Sequence, residues 1–138
     1  LWNITMENLR QIVPAENFEP TEGRINGFAG GAGTVLFFED QSVVEYLMEN
    51  FALYAKNFPV WSEQSSGMLQ YVVWTSLAEV NVGASLQHYN EVIADDVEAA
   101  FEIPSSWKLI AQMPFGNIVA PAGEKEFQPL DNRFKVIK

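Results

Sequence analysis

The strongest constraint on this chain is the stretch Ser65–Val82, SSGMLQYVVWTSLAEVNV, which has no proline and one glycine, Gly67. Met68, Leu69, Tyr71, Val72, Val73, Trp74, Leu77, Ala78, Val80 and Val82 leave little of a helical circumference polar. A helix that is apolar nearly all round is surrounded by protein rather than laid on a surface. Gln70, Thr75, Ser76 and Glu79 interrupt it too often, and it is too short, for a bilayer span. Gly83 stands where a left-handed C-terminal cap is expected. The stretch Trp61–Asn90 is therefore read as one long buried helix that stops at a glycine and delivers Ala84-Ser85-Leu86-Gln87-His88-Tyr89. The rest of the chain becomes cover for that helix, or walls of a site at its end.

With 138 residues, 48% hydrophobic and 13% aromatic, there is enough apolar material for one domain, residues 1–138, with a real core. The absence of cysteine excludes disulfide scaffolds and thiolate metal sites. Eighteen acidic against eight basic side chains give a formal charge of −10. Such a field repels nucleic-acid phosphates and anionic membranes, so neither is an expected partner. No leader or membrane-spanning run is seen, and the expected location is cytoplasmic. The chain opens on Leu-Trp, and Trp2, Met6, Leu9 and Val13 already fall at helical spacing with no N-cap before them. The expectation is a fragment whose upstream portion lies outside this sequence.

Taken in order, Leu1–Val13 reads as an amphipathic helix ended by Pro14, and Thr21 as the cap of a short helix with Ile25 and Phe28 inward. Gly27, Gly30, Gly31 and Gly33 match neither a Walker nor a dinucleotide-binding pattern, so a flexible turn into a strand is expected there. Thr34–Phe38 is a short apolar strand, and Asp40 or Ser42 caps a helix from Val43 to about Phe51. Phe51, Leu53, Tyr54, Phe58 and Trp61 form an aromatic-rich connection of core or interface type, with ligand stacking as the lesser alternative. Asp95-Asp96 is expected at the positive end of a helix running to Phe101. Trp107–Val119 reads as a strand with a proline bend, and Arg133–Ile137 as a last strand. This alternation predicts an α+β sandwich.

Chemistry of the side-chain kind is thin. His88 is the one histidine, with no nucleophile elbow near it and no thiolates for a zinc site. What remains is a site made of backbone: Gly83, Ala84 and Ser85 allow a flat ligand close approach, and an extended segment offers N–H groups. Arg133 and Lys135, one residue apart, would share one side of a strand. They are a candidate phosphate anchor, or an ordinary solvated strand edge, the reading that spacing alone slightly favours.

At these residues the sequence resembles a known family. WSEQSSGM (Trp61–Met68), GASLQHYN (Gly83–Asn90), MPFG (Met113–Gly116), PAGEK (Pro121–Lys125) and RFKV (Arg133–Val136) are similar to the nitroreductases, in particular to the fungal fatty-acid-repression-mutant proteins and the bacterial copper-induced nitroreductases. The resemblance implies an α+β nitroreductase-like sandwich that binds FMN at the interface of a homodimer. It implies reduction of nitro compounds or quinones by NAD(P)H in a ping-pong cycle on the flavin. Carried over, Ser85, Leu86, Gln87 and His88 line the isoalloxazine, with a main-chain N–H near N5, and Arg133 and Lys135 contact the phosphate. The long helix would lie in the dimer core. The arginine-rich opening segment of the family, which also contacts FMN, is not in this sequence. An alternative function is a non-catalytic dimer of the same fold with a regulatory or stress-response binding role.

Overall fold

A computed structural model describes residues 1–137. Its frame is a three-stranded antiparallel sheet in the order β1-β3-β2, formed by β1 (Gly33–Asp40), β2 (Val82–Ala84) and β3 (Trp107–Asn117). Helices α1 (Trp2–Ile12), α2 (Glu19–Ala29), α3 (Gln41–Asn50), α4 (Phe58–Glu79) and α5 (Asn90–Phe101) surround it. The α+β class is as expected.

Helix α1 ends because Val13 precedes Pro14 and adopts extended backbone, φ −91° and ψ 125°. Its buried residues Trp2, Thr5 and Leu9 follow helical spacing. Helix α2 starts earlier than Thr21: Phe18 occupies the N-cap without a capping hydrogen bond. Pro20 sits in the first turn beside Glu19 and Glu22, residues that suit a helix N-terminus. Asp40 does cap α3, accepting from the Ser42 backbone N–H at 3.0 Å.

In β3 an extra residue reverses the side-chain alternation. Phe37 faces Ala111 and Phe38 faces Leu109, so Ile110 is left over as a bulge. Ala111 and Met113 consequently join Phe37 under Val73 and Leu77 of α4. Leu109 instead packs with Ile93 and Val97 of α5. The bulge thus lets one strand serve a core on each face of the sheet. A third cluster, Trp2, Leu9, Phe18 and Ile25, ties α1 to α2.

Four expectations need correction. The long helix runs Phe58–Glu79 and is buried on one side only: Ser66 and Gln70 are inside, whereas Met68 is 63% and Tyr71 68% exposed. A small sheet covers one face of a helix, and nothing among the described residues covers the other. The left-handed residue after it is Asn81 (φ 58°), not Gly83, which lies in β2 at negative φ; asparagine tolerates that conformation better than other side chains with a Cβ. Helix α5 begins at Asn90, so Asp95 and Asp96 stand mid-helix, where Asp96 accepts from the Asn8 amide at 2.6 Å. Arg133–Ile137 forms no strand. Among the described residues no helix is long and apolar enough to cross a membrane.

Candidate functional site

The segment after β2 continues its register without forming a full ladder. The bridge Gln87↔Gln112 extends the series Val82↔Asn117, Gly83↔Gly116 and Ala84↔Phe115. Ser85 N–H donates to the Pro114 carbonyl at 3.2 Å, and Gln87 and Gln112 exchange two backbone bonds of 2.7 and 2.9 Å. Proline has no N–H, so the Ser85 carbonyl lacks the return bond a ladder would give. Residues 85 and 87 face β3; the main-chain N–H and C=O of Leu86 therefore point the other way, to the open edge of the sheet. Leu86 packs its side chain against the Phe37–Ala111–Met113 cluster. Ser85 and Gln87 are half-buried and joined by a side-chain hydrogen bond of 3.2 Å, and His88 is exposed.

Beside this segment lies a cleft of about 680 Å³, walled by Asn26, Phe28, Gly31, Ala84, Ser85 and Phe115 among others. The glycine-rich turn, expected only as a flexible link, forms one wall. Two of its glycines, Gly31 and Gly33, pack closely on β3. A Cβ on Gly31 would stand 2.8 Å from the Phe115 carbonyl oxygen, and one on Gly33 2.8 Å from the Phe115 ring. Trp2 of α1 closes the neighbourhood: its indole N–H donates to Thr34 Oγ1 at 2.9 Å, and its ring lies 5.0 Å from Phe28 and 6.2 Å from Tyr89.

Arg133 and Lys135 are not brought to this cleft. Both are exposed, on irregular chain after a single 3-10 turn at Leu130–Asn132, and neither lines the cleft. The same-side argument for the pair fails because there is no strand to carry it.

The sequence model of the Nitroreductase family matches residues 1–117. The chain belongs to the nitroreductase family. HBN1 of Saccharomyces cerevisiae is 38% identical over 114 residues, which cover 83% of this chain and 56% of HBN1. The solved structure of the nitroreductase CinD from Lactococcus lactis in complex with 4-nitrophenol is 54% identical with a TM-score of 0.82, over 87% of this chain and 64% of that one. CinD in complex with nicotinic acid is 48% identical with a TM-score of 0.82, over 96% and 72% of the two chains. The chain therefore spans little more than half the length of the yeast relative it matches.

For a nitroreductase, the donor set can be compared with the needs of a flavin. A flat ring requires a shallow wall without protruding side chains, and Gly83, Ala84 and Ser85 supply one. A ring nitrogen requires a main-chain donor free of ladder bonding, and the outward edge at Leu86 is of that kind. These residues fit the ring; the phosphate end has no preformed counterpart in residues 133–135. Two contributors escaped the sequence argument. One is the Gly30–Gly33 turn as a cleft wall. The other is Gln112, fully buried, whose signal was a single amide inside the apolar run of Trp107–Gly116.

Proposed function

We propose that this chain belongs to an FMN-dependent oxidoreductase that reduces nitro compounds or quinones with NAD(P)H by a ping-pong cycle. What supports this is the outward main-chain edge at Leu86, one residue beyond the Gly83–Ser85 wall of the cleft, in a chain of the nitroreductase family. The complexes of CinD with 4-nitrophenol and with nicotinic acid support a nitro acceptor and a nicotinamide donor as ligand classes.

When bound, FMN would supply the hydride and electron-transfer chemistry. The chain's own work is positional. Ser85, Leu86, Gln87 and His88 would line the ring, with the Leu86 edge offering a donor at N5. A donor held by the sheet needs no reorganisation as charge develops, which is where such contacts act most strongly. Arg133 and Lys135 would reach the phosphate as long cationic side chains. A second copy would cover the outer face of α4, where Met68, Leu69, Tyr71 and Val72 are exposed in one chain. Isologous pairing buries such a face in both copies at once.

The test is spectroscopic and hydrodynamic. The purified native protein should be yellow, sediment as two copies, lose its visible band anaerobically on addition of NADH or NADPH, and regain it on addition of a quinone or 4-nitrophenol. Colourless protein that takes up no FMN on reconstitution rejects the enzyme and leaves a non-catalytic member of the family.

A further inference from the structure

We infer that Gln112 is a positioning residue that sets the main-chain edge offered to the flavin; this rests on the FMN reading above. Gln112 has no exposed surface, and a buried amide is costly unless every polar atom is paired. Here each is. Its Oε1 accepts from the Tyr89 backbone N–H at 2.8 Å, and its Nε2 donates to Asn90 Oδ1 at 2.6 Å. Asn90 Nδ2 in turn donates to the carbonyl of Ile110, the bulge residue, at 2.6 Å. With the two backbone bonds between Gln112 and Gln87, this closes a relay that grips residues 87, 89 and 90 from inside the sheet.

The grip falls where the ladder is weakest. Pro114 removes one bond at Ser85, so between Ala84 and Gln87 the segment is held to β3 by the single contact from Ser85 N–H to the Pro114 carbonyl. With Gln112 accepting from the Tyr89 N–H and Asn90 donating to the bulge carbonyl, two linked side chains fix the segment at its far end. An apolar residue at 112 would fill the same space and leave Tyr89 N–H and Asn90 Oδ1 unpaired. The buried amide therefore contributes placement of the 85–89 main chain, which a hydrogen bond to a ring nitrogen requires to within a few tenths of an ångström.

Gln112→Met keeps the volume and removes the amide. In flavin-free protein it should speed amide exchange at Gln87 and Tyr89 while Phe37 and Ala111 keep wild-type protection. In loaded protein it should weaken FMN binding about tenfold, and shift the flavin reduction potential and visible band. Asn90→Ala, which breaks the same relay from its half-buried end, should move each readout in the same direction and serves if Gln112→Met does not fold. Variants with faster exchange but unchanged FMN affinity, potential and band make Gln112 a structural residue only and overturn the proposal. Unchanged exchange at Tyr89 overturns it as well. If the wild-type protein binds no FMN, the flavin reading itself falls and this proposal with it; if wild type binds and the variants match it, the role of Gln112 alone is rejected.

Discussion

Ser85–Asn90 and Arg133–Lys135 are the two stretches of this chain proposed to meet one ligand, and they are held in opposite ways. The first is bonded to a buried strand through Ser85, Gln87, Tyr89 and Asn90, and packs Leu86 on the central core. The second has the Arg133 and Phe134 N–H groups on the Leu130 carbonyl, both at 2.8 Å, and exposed side chains. Among the described residues neither cation has an ion-pair partner. The difference follows from what each contact demands. A hydrogen bond to a ring atom depends steeply on distance and angle, so its donor must be placed by the fold. A cation attracts a phosphate over several ångströms and on a flexible stem, so it needs reach rather than a socket.

The largest expected effect tests whether the pinned segment rests on the core beneath it. Met113 is fully buried between Phe37, Ala111, Leu86 and α4. Met113→Ala should cost about 2 to 5 kcal/mol, the range for large-to-small core substitutions. Urea unfolding with an unchanged m-value measures it. A loss below about 1 kcal/mol would mean that the site collapses freely, and the contrast with the tail would lose its physical basis.

How much of this was legible in the sequence follows the same division. Apolar patterning and turn signals located α1, α3, β1 and β3, because the apolar faces of each are buried within this chain. Asp40 was readable as a cap because capping is local. For the outer face of α4, apolar composition shows only that a surface needs cover, not whether this chain or a second copy supplies it. Arg133–Ile137 alternates like a strand, but a strand also needs an edge to pair with, and periodicity carries no information about edges. The role of Gln112 depends on a bulge at Ile110 that reverses the pattern, and nothing in the run WKLIAQMPFG marks where the extra residue falls. The flavin itself came from family resemblance in GASLQHYN and its companion runs, since no side chain in the cleft would have named it.

The second effect acts on the loose stretch. Arg133→Ala with Lys135→Ala should weaken FMN binding by about 2 to 4 kcal/mol, on the strength of charge-assisted contacts to phosphate. The same pair should leave unfolding free energy within about 0.5 kcal/mol of wild type, as for surface substitutions away from packed features. Titration of flavin-free protein with FMN and urea unfolding separate the two quantities. Lost stability without lost affinity would show that the tail is packed and is no anchor, reversing the contrast.

The smallest effect belongs to neither stretch and calibrates both. Asp40 caps α3 at the end of β1, and its carboxyl is held below the usual 3.8 chiefly by the hydrogen bond from the Ser42 hydroxyl at 2.7 Å, with the Ser42 backbone N–H at 3.0 Å adding to it. A folded-state pKa lowered below the unfolded one stabilises the fold at pH above the unfolded value. That contribution is lost as pH falls from 3.8 through the lowered folded-state value. Asp40→Ala should therefore lower stability by a constant amount at neutral pH, less than Met113→Ala does, and the gap to wild type should narrow as pH is taken below 3.8. Because the cap lies on α3, away from residues 85–90, FMN affinity should not change with it. A gap that widened on acidification would mean that the protonated carboxyl is the better cap, and the hydrogen bonds from Ser42 would then have no part in holding the start of α3.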